Sequence, residues 1–159
     1  MSIDFGKTLI VYYSHSGNTR FVAEKLKNLI NADICEIKIK GNHSIFELAV
    51  KTIFRKYLKL KLLQFDTNFP DFSQYDTIFI GSPVYAWTIP FQLYSFLKQT
   101  DFKGKRVVPF ATSGGNEGAF FKDFEKFANN AVLANAKGFV KIDKNDIDEK
   151  IKNWVENIK

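Results

Sequence analysis

The feature of this sequence that most constrains its fold is a fivefold alternation of short apolar runs with longer amphipathic segments. The apolar runs are rich in β-branched and aromatic residues, as buried strands are, and span 7–13, 34–39, 76–80, 105–111 and 137–142. The segments that follow them carry apolar residues at helical spacing and span 19–30, 44–63, 90–98, 116–130 and 146–158. Short connections between alternating strands and helices predict an α/β chain of three layers, with a five-stranded parallel sheet and helices on both faces.

The length and composition are those of a single globular domain. The chain has 159 residues, of which 45% are hydrophobic, and we expect one domain over 1–159. Its one cysteine, Cys35, permits neither an intrachain disulfide nor a cysteine metal cluster and favours a reducing compartment. The first six residues do not resemble a signal peptide, and no apolar run approaches the ~18 residues of a membrane span. We therefore expect a cytoplasmic location, no transmembrane segment and no metal site.

The positive charge is concentrated in one stretch. The chain carries a net charge of +6, and the residues from Lys38 to Lys61 hold one anion, Glu47, and seven cations: Lys38, Lys40, Lys51, Arg55, Lys56, Lys59 and Lys61. On a helix over 44–63, one face would hold Phe46, Ala49, Val50, Ile53, Tyr57 and Leu60, and the opposite face Lys51, Arg55 and Lys59.

This arrangement predicts an amphipathic helix with a basic outer stripe. The stripe is either a solvated surface, a docking site for an acidic redox partner, or a peripheral contact with an anionic membrane. No aromatic stacking platform accompanies the charges, so nucleic-acid binding is not expected.

Parallel sheets of this kind bind ligands beyond the carboxyl ends of their strands, where the strand order reverses. The loop after the first strand consists of Ser14, His15, Ser16, Gly17, Asn18 and Thr19. Hydroxyl donors around a flexible glycine, at the positive end of a helix dipole, predict a cradle for a monophosphate. A simple serine cap would need only one hydroxyl. The loop has neither the pattern of a triphosphate-binding loop nor that of a dinucleotide fold.

Two further loops at the same edge have unusual compositions. After the third strand come Pro83, Val84, Tyr85, Ala86 and Trp87, and two aromatic residues between prolines favour contact with a flat ring, unless they only cap the core. After the fourth strand come Thr112, Ser113, Gly114, Gly115 and Gly118, where glycines permit a ligand to approach the backbone, unless this is an ordinary glycine-rich turn.

These motifs resemble those of the flavodoxin family over essentially the whole chain. The flavodoxin phosphate fingerprint, Thr/Ser-x-Thr/Ser-Gly-Asn-Thr, is matched by Ser14, Ser16, Gly17, Asn18 and Thr19. The ring-binding loop of the family, Gly-Ser/Thr-Pro-Val-Trp/Tyr-x-x, is similar to residues 81–87. The resemblance implies a sheet of order 2-1-3-4-5 and an FMN cofactor with its phosphate in the first loop. It also implies that Tyr85 stacks on the isoalloxazine ring and that residues 112–118 line its other side and the ribityl chain.

The sequence departs from the family pattern at one functional position. Flavodoxins commonly have a glycine in the second loop, at a peptide that turns on reduction, where this chain has Ala86 and Trp87. A left-handed backbone is unfavourable for such residues.

Other functions of this fold class are not supported by the residues present. Ser14 stands where a receiver domain has acidic residues, no Cys-x5-Arg phosphatase loop follows the first strand, and no Gly-x-Ser-x-Gly hydrolase elbow occurs. We expect an FMN-binding electron carrier that acts with redox partner proteins. The alternatives are an FMN-dependent reductase of a quinone or similar acceptor, and an FMN-free interaction domain. No distinct nicotinamide-binding motif is visible, which favours the carrier.

Overall fold

The computed structural model describes residues 4–159 and places a parallel sheet at the centre of the chain. Its strands are β1 (Thr8–Tyr12), β2 (Asp33–Glu36), β3 (Thr77–Pro83), β4 (Arg106–Ser113), β5 (Val132–Leu133) and β6 (Lys137–Val140). Every strand pairing is parallel, and the order is β2-β1-β3-β4 with β5 and β6 both beside β4. The predicted order is confirmed, with one difference: two short segments share the fifth position.

The split of the fifth strand explains how a proline fits inside β4. β5 pairs with β4 at Arg106 and Val107, whereas β6 pairs with it from Phe110 onward. The carbonyl of Val107 accepts a hydrogen bond from Ala134 N–H, so alternate residues of β4 face this side of the sheet. Pro109 is one of them, and its missing N–H points at the gap between β5 and β6. No ladder hydrogen bond is therefore lost.

Helices cover both faces of the sheet, as predicted. They are α1 (Asn18–Ile30), α2 (Ile45–Phe54), α3 (Phe91–Lys98), α4 (Phe120–Phe127) and α5 (Ile147–Glu156). Side chains of β1 alternate between the two faces: Leu9 and Val11 pack with residues of α3 and α4, while Ile10 and Tyr12 pack with residues of α1 and α5. These three layers bring the carboxyl ends of β1, β3 and β4 to one edge.

Helix α2 differs from the prediction in length and in orientation. It begins after Ser44, whose side chain accepts a hydrogen bond from Glu47 N–H, and it ends at Phe54 rather than near 63. Of the six residues predicted on the apolar face, Phe46, Ile53 and Tyr57 are exposed, whereas the other three are half-buried: Ala49, Val50 and Leu60. The opposite side of the helix is buried.

The predicted basic outer stripe is wrong. Arg55 lies in the interior, Lys51 is half-buried, and Lys59 lies beyond the helix. The reason is that the buried polar side chains of α2 find partners: Thr52 Oγ1 donates to Leu48 O and accepts from Phe91 N–H, and Arg55 meets the carboxylate of Asp123. Hydrophobic periodicity alone does not detect such pairing.

No helix among residues 4–159 combines the length and the apolarity that crossing a bilayer requires.

Candidate functional site

The first loop connects the carboxyl end of β1 to α1 and presents free backbone donors. Gly17 precedes the helix with φ of +97°, a left-handed conformation that favours glycine, and no side chain caps this end. In the described part of the chain, the N–H groups of Asn18 and Thr19 have no protein acceptor. They lie at the positive end of the α1 dipole, which suits an anionic ligand.

The three hydroxyls predicted for the cradle have different surroundings. Ser14 Oγ accepts a hydrogen bond of 3.2 Å from Arg20 N–H. Thr19 is buried, and its Oγ1 lies 2.8 Å from Thr112 Oγ1. Ser16 is exposed and forms no side-chain hydrogen bond within residues 4–159. Ser16 is therefore the hydroxyl that remains available to a ligand. His15 and Asn18 are exposed beside it.

The second loop is a tight turn in a strained conformation. Tyr85 and Thr88 exchange two backbone hydrogen bonds, of 3.0 and 2.9 Å, so that Ala86 and Trp87 form the tip of a two-residue turn. Their φ values are +47° and +57°, as in a type I′ turn, where glycine or asparagine is usual. The departure from the flavodoxin pattern thus lies at two left-handed positions, each unfavourable by roughly 1–2 kcal/mol.

The two aromatic residues of this loop point in different directions. Tyr85 packs against the core, and its buried hydroxyl lies without a hydrogen-bond partner in the described residues. Burial and the neighbouring Tyr13 raise the pKa of Tyr85 above its usual value. Trp87, in contrast, is 69% exposed. The expectation that Tyr85 stacks on a ring stays a prediction, and Trp87 is the aromatic residue that reaches the surface.

The third loop combines an open segment with a packed one. Ser113 Oγ accepts a hydrogen bond from Gly115 N–H and donates one to Asn116 O. A Cβ at Gly114 or Gly115 would meet open space, so the protein itself does not require glycine there. The close approach of a ligand would require it.

Gly118 has a structural part in the same loop. Its φ is +54°, and a Cβ there would lie 2.4 Å from Trp87 O. Trp87 O also accepts a hydrogen bond of 2.7 Å from Ala119 N–H. The sequence placed Gly118 among the cofactor contacts; in the structure it packs against the main chain of Trp87 and fixes the second loop.

Direct contacts join the three loops into one site. Thr112, in the third loop, contacts the first loop through the hydrogen bond between its Oγ1 and Thr19 Oγ1. It contacts the second loop through its carbonyl, which accepts a hydrogen bond of 3.0 Å from Val84 N–H. A cleft of about 310 Å³ opens between the second and third loops, and it is lined by Val84, Ala86, Trp87, Ser113, Gly114, Gly115 and Asn116. Its size is at the lower end of the range for small-molecule sites. The donor set and the open glycines fit an anionic ligand with a planar ring.

A buried ion pair behind the second loop was not predicted from the sequence. Arg55 donates hydrogen bonds to Thr88 Oγ1, at 2.9 Å, and to Asp123 Oδ2, at 3.0 Å, and Asp123 also accepts from Thr88 Oγ1. Burial lowers the pKa of Arg55, and the charge of Asp123 opposes that shift. The ion pair holds Thr88, the residue next to Trp87, in place. No local signal reveals it, since the partners are far apart in the sequence.

Comparisons with known proteins agree with this architecture. The family model described as Flavodoxin matches residues 7–158. A crystal structure of a flavoprotein in complex with FMN from Lactobacillus acidophilus NCFM is 25% identical, with a TM-score of 0.76 over 93% of this chain and 97% of that one. The NMR structure of the apo-form of the flavoprotein from that organism is 26% identical, with a TM-score of 0.68 over 90% of this chain and 95% of that one.

A flavodoxin from the domain Archaea is 19% identical, with a TM-score of 0.54 and 95% coverage of both chains, and shows the fold alone. Among the curated proteins, none matches the sequence. The family model nevertheless spans almost the whole chain and agrees with the observed strand order. The chain therefore belongs to the flavodoxin family.

Proposed function

We propose that this protein binds FMN at the three loops and transfers electrons between redox partners. The observation that carries the proposal is the pair of unpartnered N–H groups of Asn18 and Thr19, with the free hydroxyl of Ser16, at one end of a site whose other end is an open cleft. The FMN bound by the Lactobacillus acidophilus flavoprotein, a relative of the same fold, supports this assignment.

Each loop has a distinct part in this proposal. The first loop holds the phosphate through backbone N–H groups and Ser16, because a dianion gains most from charge-assisted hydrogen bonds at a helix start. Trp87 contacts the ring, and Gly114 and Gly115 let the backbone approach it. Thr19 and Thr112 tie the loops together rather than facing the ligand. Bound FMN supplies the redox chemistry, because its ring accepts and donates electrons.

An electron carrier is favoured over a self-sufficient reductase by the sequence, which has no distinct nicotinamide-binding motif. NADPH added alone to the FMN-loaded protein is therefore expected to leave the flavin absorbance unchanged. Bleaching by NADPH would favour an FMN-dependent reductase instead. The single free cysteine, half-buried Cys35, is in keeping with a reducing compartment, and the cytoplasm is our proposed location.

The phosphate assignment can be tested by comparing FMN with riboflavin, which lacks the phosphate. Ser16→Ala removes one charge-assisted hydrogen bond, a loss of ~1.5–3 kcal/mol, or roughly tenfold to a hundredfold in Kd. FMN affinity is expected to fall by that factor while riboflavin affinity is unchanged. The measurement is quenching of flavin fluorescence during titration with the apoprotein.

Ser73→Ala is the matched control, since Ser73 is exposed and precedes the amino end of β3, at the opposite edge of the sheet. It should change neither affinity. Equal weakening of both flavins by Ser16→Ala would place the phosphate elsewhere. Failure of the wild-type protein to bind either flavin would favour the FMN-free interaction domain.

A further inference from the structure

The exposed side of α2 and the turn that follows it forms an apolar surface. Nine large hydrophobic side chains are exposed among the described residues, and six of them lie within 45–58: Ile45, Phe46, Ile53, Phe54, Tyr57 and Leu58. Phe46 is 77% exposed and Tyr57 79%. Such clustering is unusual, because exposed apolar residues are ordinarily scattered singly and concentrated patches mark interaction sites.

The geometry of α2 directs these side chains away from the protein. Leu48, Thr52 and Arg55 form the buried side of the helix. At 100° per residue, Phe46 and Ile53 lie within about 20° of each other on the opposite side. Tyr57 is exposed in the turn that follows the helix. The protein has therefore buried polar groups of α2 and left its aromatic residues in water. An unfavourable arrangement of this kind is explained if something covers the aromatic residues.

Exposed cations accompany the apolar side chains in this part of the chain. Lys56, Lys59 and Lys61 are exposed, and Lys38 and Lys40 lie on a segment that is hydrogen-bonded to residues 64–66. The single anion of the stretch, Glu47, is already paired with Lys51. Lys56 Nζ lies 3.9 Å from Asp123 Oδ2, so of Lys56, Lys59 and Lys61 only the latter two pair with no carboxylate in the described residues. We name the six exposed apolar side chains, together with Lys56, Lys59 and Lys61, the α2 surface.

We propose that the α2 surface binds the headgroup region of an anionic lipid membrane. Aromatic and aliphatic side chains that project from a helix, with lysines beside them, are typical of segments that lie in the interface plane of a bilayer. Lipid headgroups supply the negative charge that complements the lysines, and the fluid interface adapts to side chains that stand off the surface. The contact is peripheral, since no helix of residues 4–159 could span the bilayer.

A second copy of the chain fits this surface less well. A symmetric dimer would place the α2 surface against itself, with the lysines of one copy close to those of the other. Like charges brought together in this way oppose association. An acidic protein would complement the lysines, but it would also need an apolar surface shaped to side chains that stand off the protein, which a fluid lipid interface does not need.

The opposite, buried side of α2 contacts the second loop of the candidate cofactor site. Arg55, on the buried side of α2, donates a hydrogen bond to Thr88, next to Trp87 in the second loop. This part of the inference rests on the proposed function: membrane contact would bring the second loop, and FMN bound beside it, near acceptors dissolved in lipid, such as quinones. The membrane contact itself does not depend on FMN.

Co-flotation with vesicles tests the proposal. FMN-loaded protein is mixed with vesicles of phosphatidylcholine, with or without phosphatidylglycerol, and the apoprotein is tested in parallel. We expect binding only when phosphatidylglycerol is present and in both forms of the protein. Phe46→Ser combined with Tyr57→Ser should weaken it by at least tenfold, and replacing Lys56, Lys59 and Lys61 by Gln by about fivefold per lysine.

Matched variants elsewhere on the protein provide the controls. Leu29→Ser with Val132→Ser removes two exposed apolar side chains, and Gln at Lys98, Lys122 and Lys152 removes three exposed charges. Neither set should change vesicle binding. Flavin titrations of all variants show separately whether the cofactor site is intact, so failure of the proposed function would not be mistaken for failure of this inference.

Three results would overturn the proposal. The first is equal binding to both vesicle types, or to neither. The second is a concentration-dependent dimer in solution, seen by light scattering and abolished by Phe46→Ser with Tyr57→Ser, which would make a second copy the occupant. The third is loss of binding in the lysine variant alone together with equally tight binding to poly-glutamate, which would indicate an acidic protein partner.

Discussion

The buried pair of Arg55 and Asp123 allows a sharp test of how the second loop is held. The side chain of Arg55 is 2% exposed and that of Asp123 12%. The guanidinium donates four hydrogen bonds: to Thr52 O, Ile89 O, Thr88 Oγ1 and Asp123 Oδ2. Replacing Asp123 by Ala removes the only carboxylate in contact with this cation in the described residues. We expect a loss of ~3–5 kcal/mol in unfolding free energy, the usual result of leaving a buried charge alone.

The reverse substitution is expected to be milder. Arg55→Met leaves Asp123 with the hydroxyl of Thr88 and with Lys56, whose Nζ lies 3.9 Å away. Because this carboxylate is also closer to solvent, we expect a loss of about 2 kcal/mol. The double variant Arg55→Met with Asp123→Ala buries no charge at this position, so its stability should lie closer to that of the wild type than the sum of the single losses implies.

Urea unfolding of the FMN-free protein, followed by circular dichroism, measures these differences without a contribution from bound ligand. FMN affinity of the double variant gives a second readout, because Thr88 loses its ionic partners and the loop beside it is released. Single losses that add up in the double variant would refute the reasoning, since they would show that the two charges are not coupled. A loss of less than about 1 kcal/mol for Asp123→Ala would do the same.

Two further predictions concern the strained loop. Ala86→Gly should stabilise the protein relative to Ala136→Gly, an exposed alanine without a positive φ, by roughly 1–2 kcal/mol, the penalty of a Cβ in the left-handed region. Thermal unfolding of the two FMN-free variants measures the difference, and identical shifts would show that Ala86 is not strained. Trp87→Leu should weaken FMN by about fivefold and partly restore its fluorescence, because a stacked aromatic contributes ~0.5–1.5 kcal/mol beyond its area. Tyr85→Leu, the same kind of change at the other aromatic residue, should leave FMN affinity and fluorescence nearly unchanged, and an equal effect there would return Tyr85 to the stacking position.

The fold was accessible from the sequence because it depends on strong, local signals. Apolar runs such as 7–13 and 76–80 are short, β-branched and bounded by polar loops, and the helices between them repeat with a clear period. The strand order follows from the family motif at Ser14 to Thr19. The division of the fifth strand was not accessible, since it depends on Pro109 in the neighbouring strand and on which side of β4 that residue faces.

The orientation of α2 shows where such reasoning fails. Its apolar residues suggest one core face, but the buried side is chosen by Thr52 and by Arg55, which pairs with Asp123. Asp123 lies 68 residues further along the chain. Long-range polar partners of this kind leave no periodic signal. The same error concealed the α2 surface, because three residues predicted on the core face are exposed: Phe46, Ile53 and Tyr57.

Strain in the second loop is best understood from the contacts that enforce it. Ala86 and Trp87 both hold positive φ values, against their intrinsic preference. Two backbone hydrogen bonds fix the loop: Val84 N–H donates to Thr112 O, and Ala119 N–H donates to Trp87 O. Contacts that override local backbone preference at the mouth of a cleft are typical of functional sites. A relaxed turn would move the exposed ring of Trp87, and the cleft would lose the flat surface that a planar ligand needs.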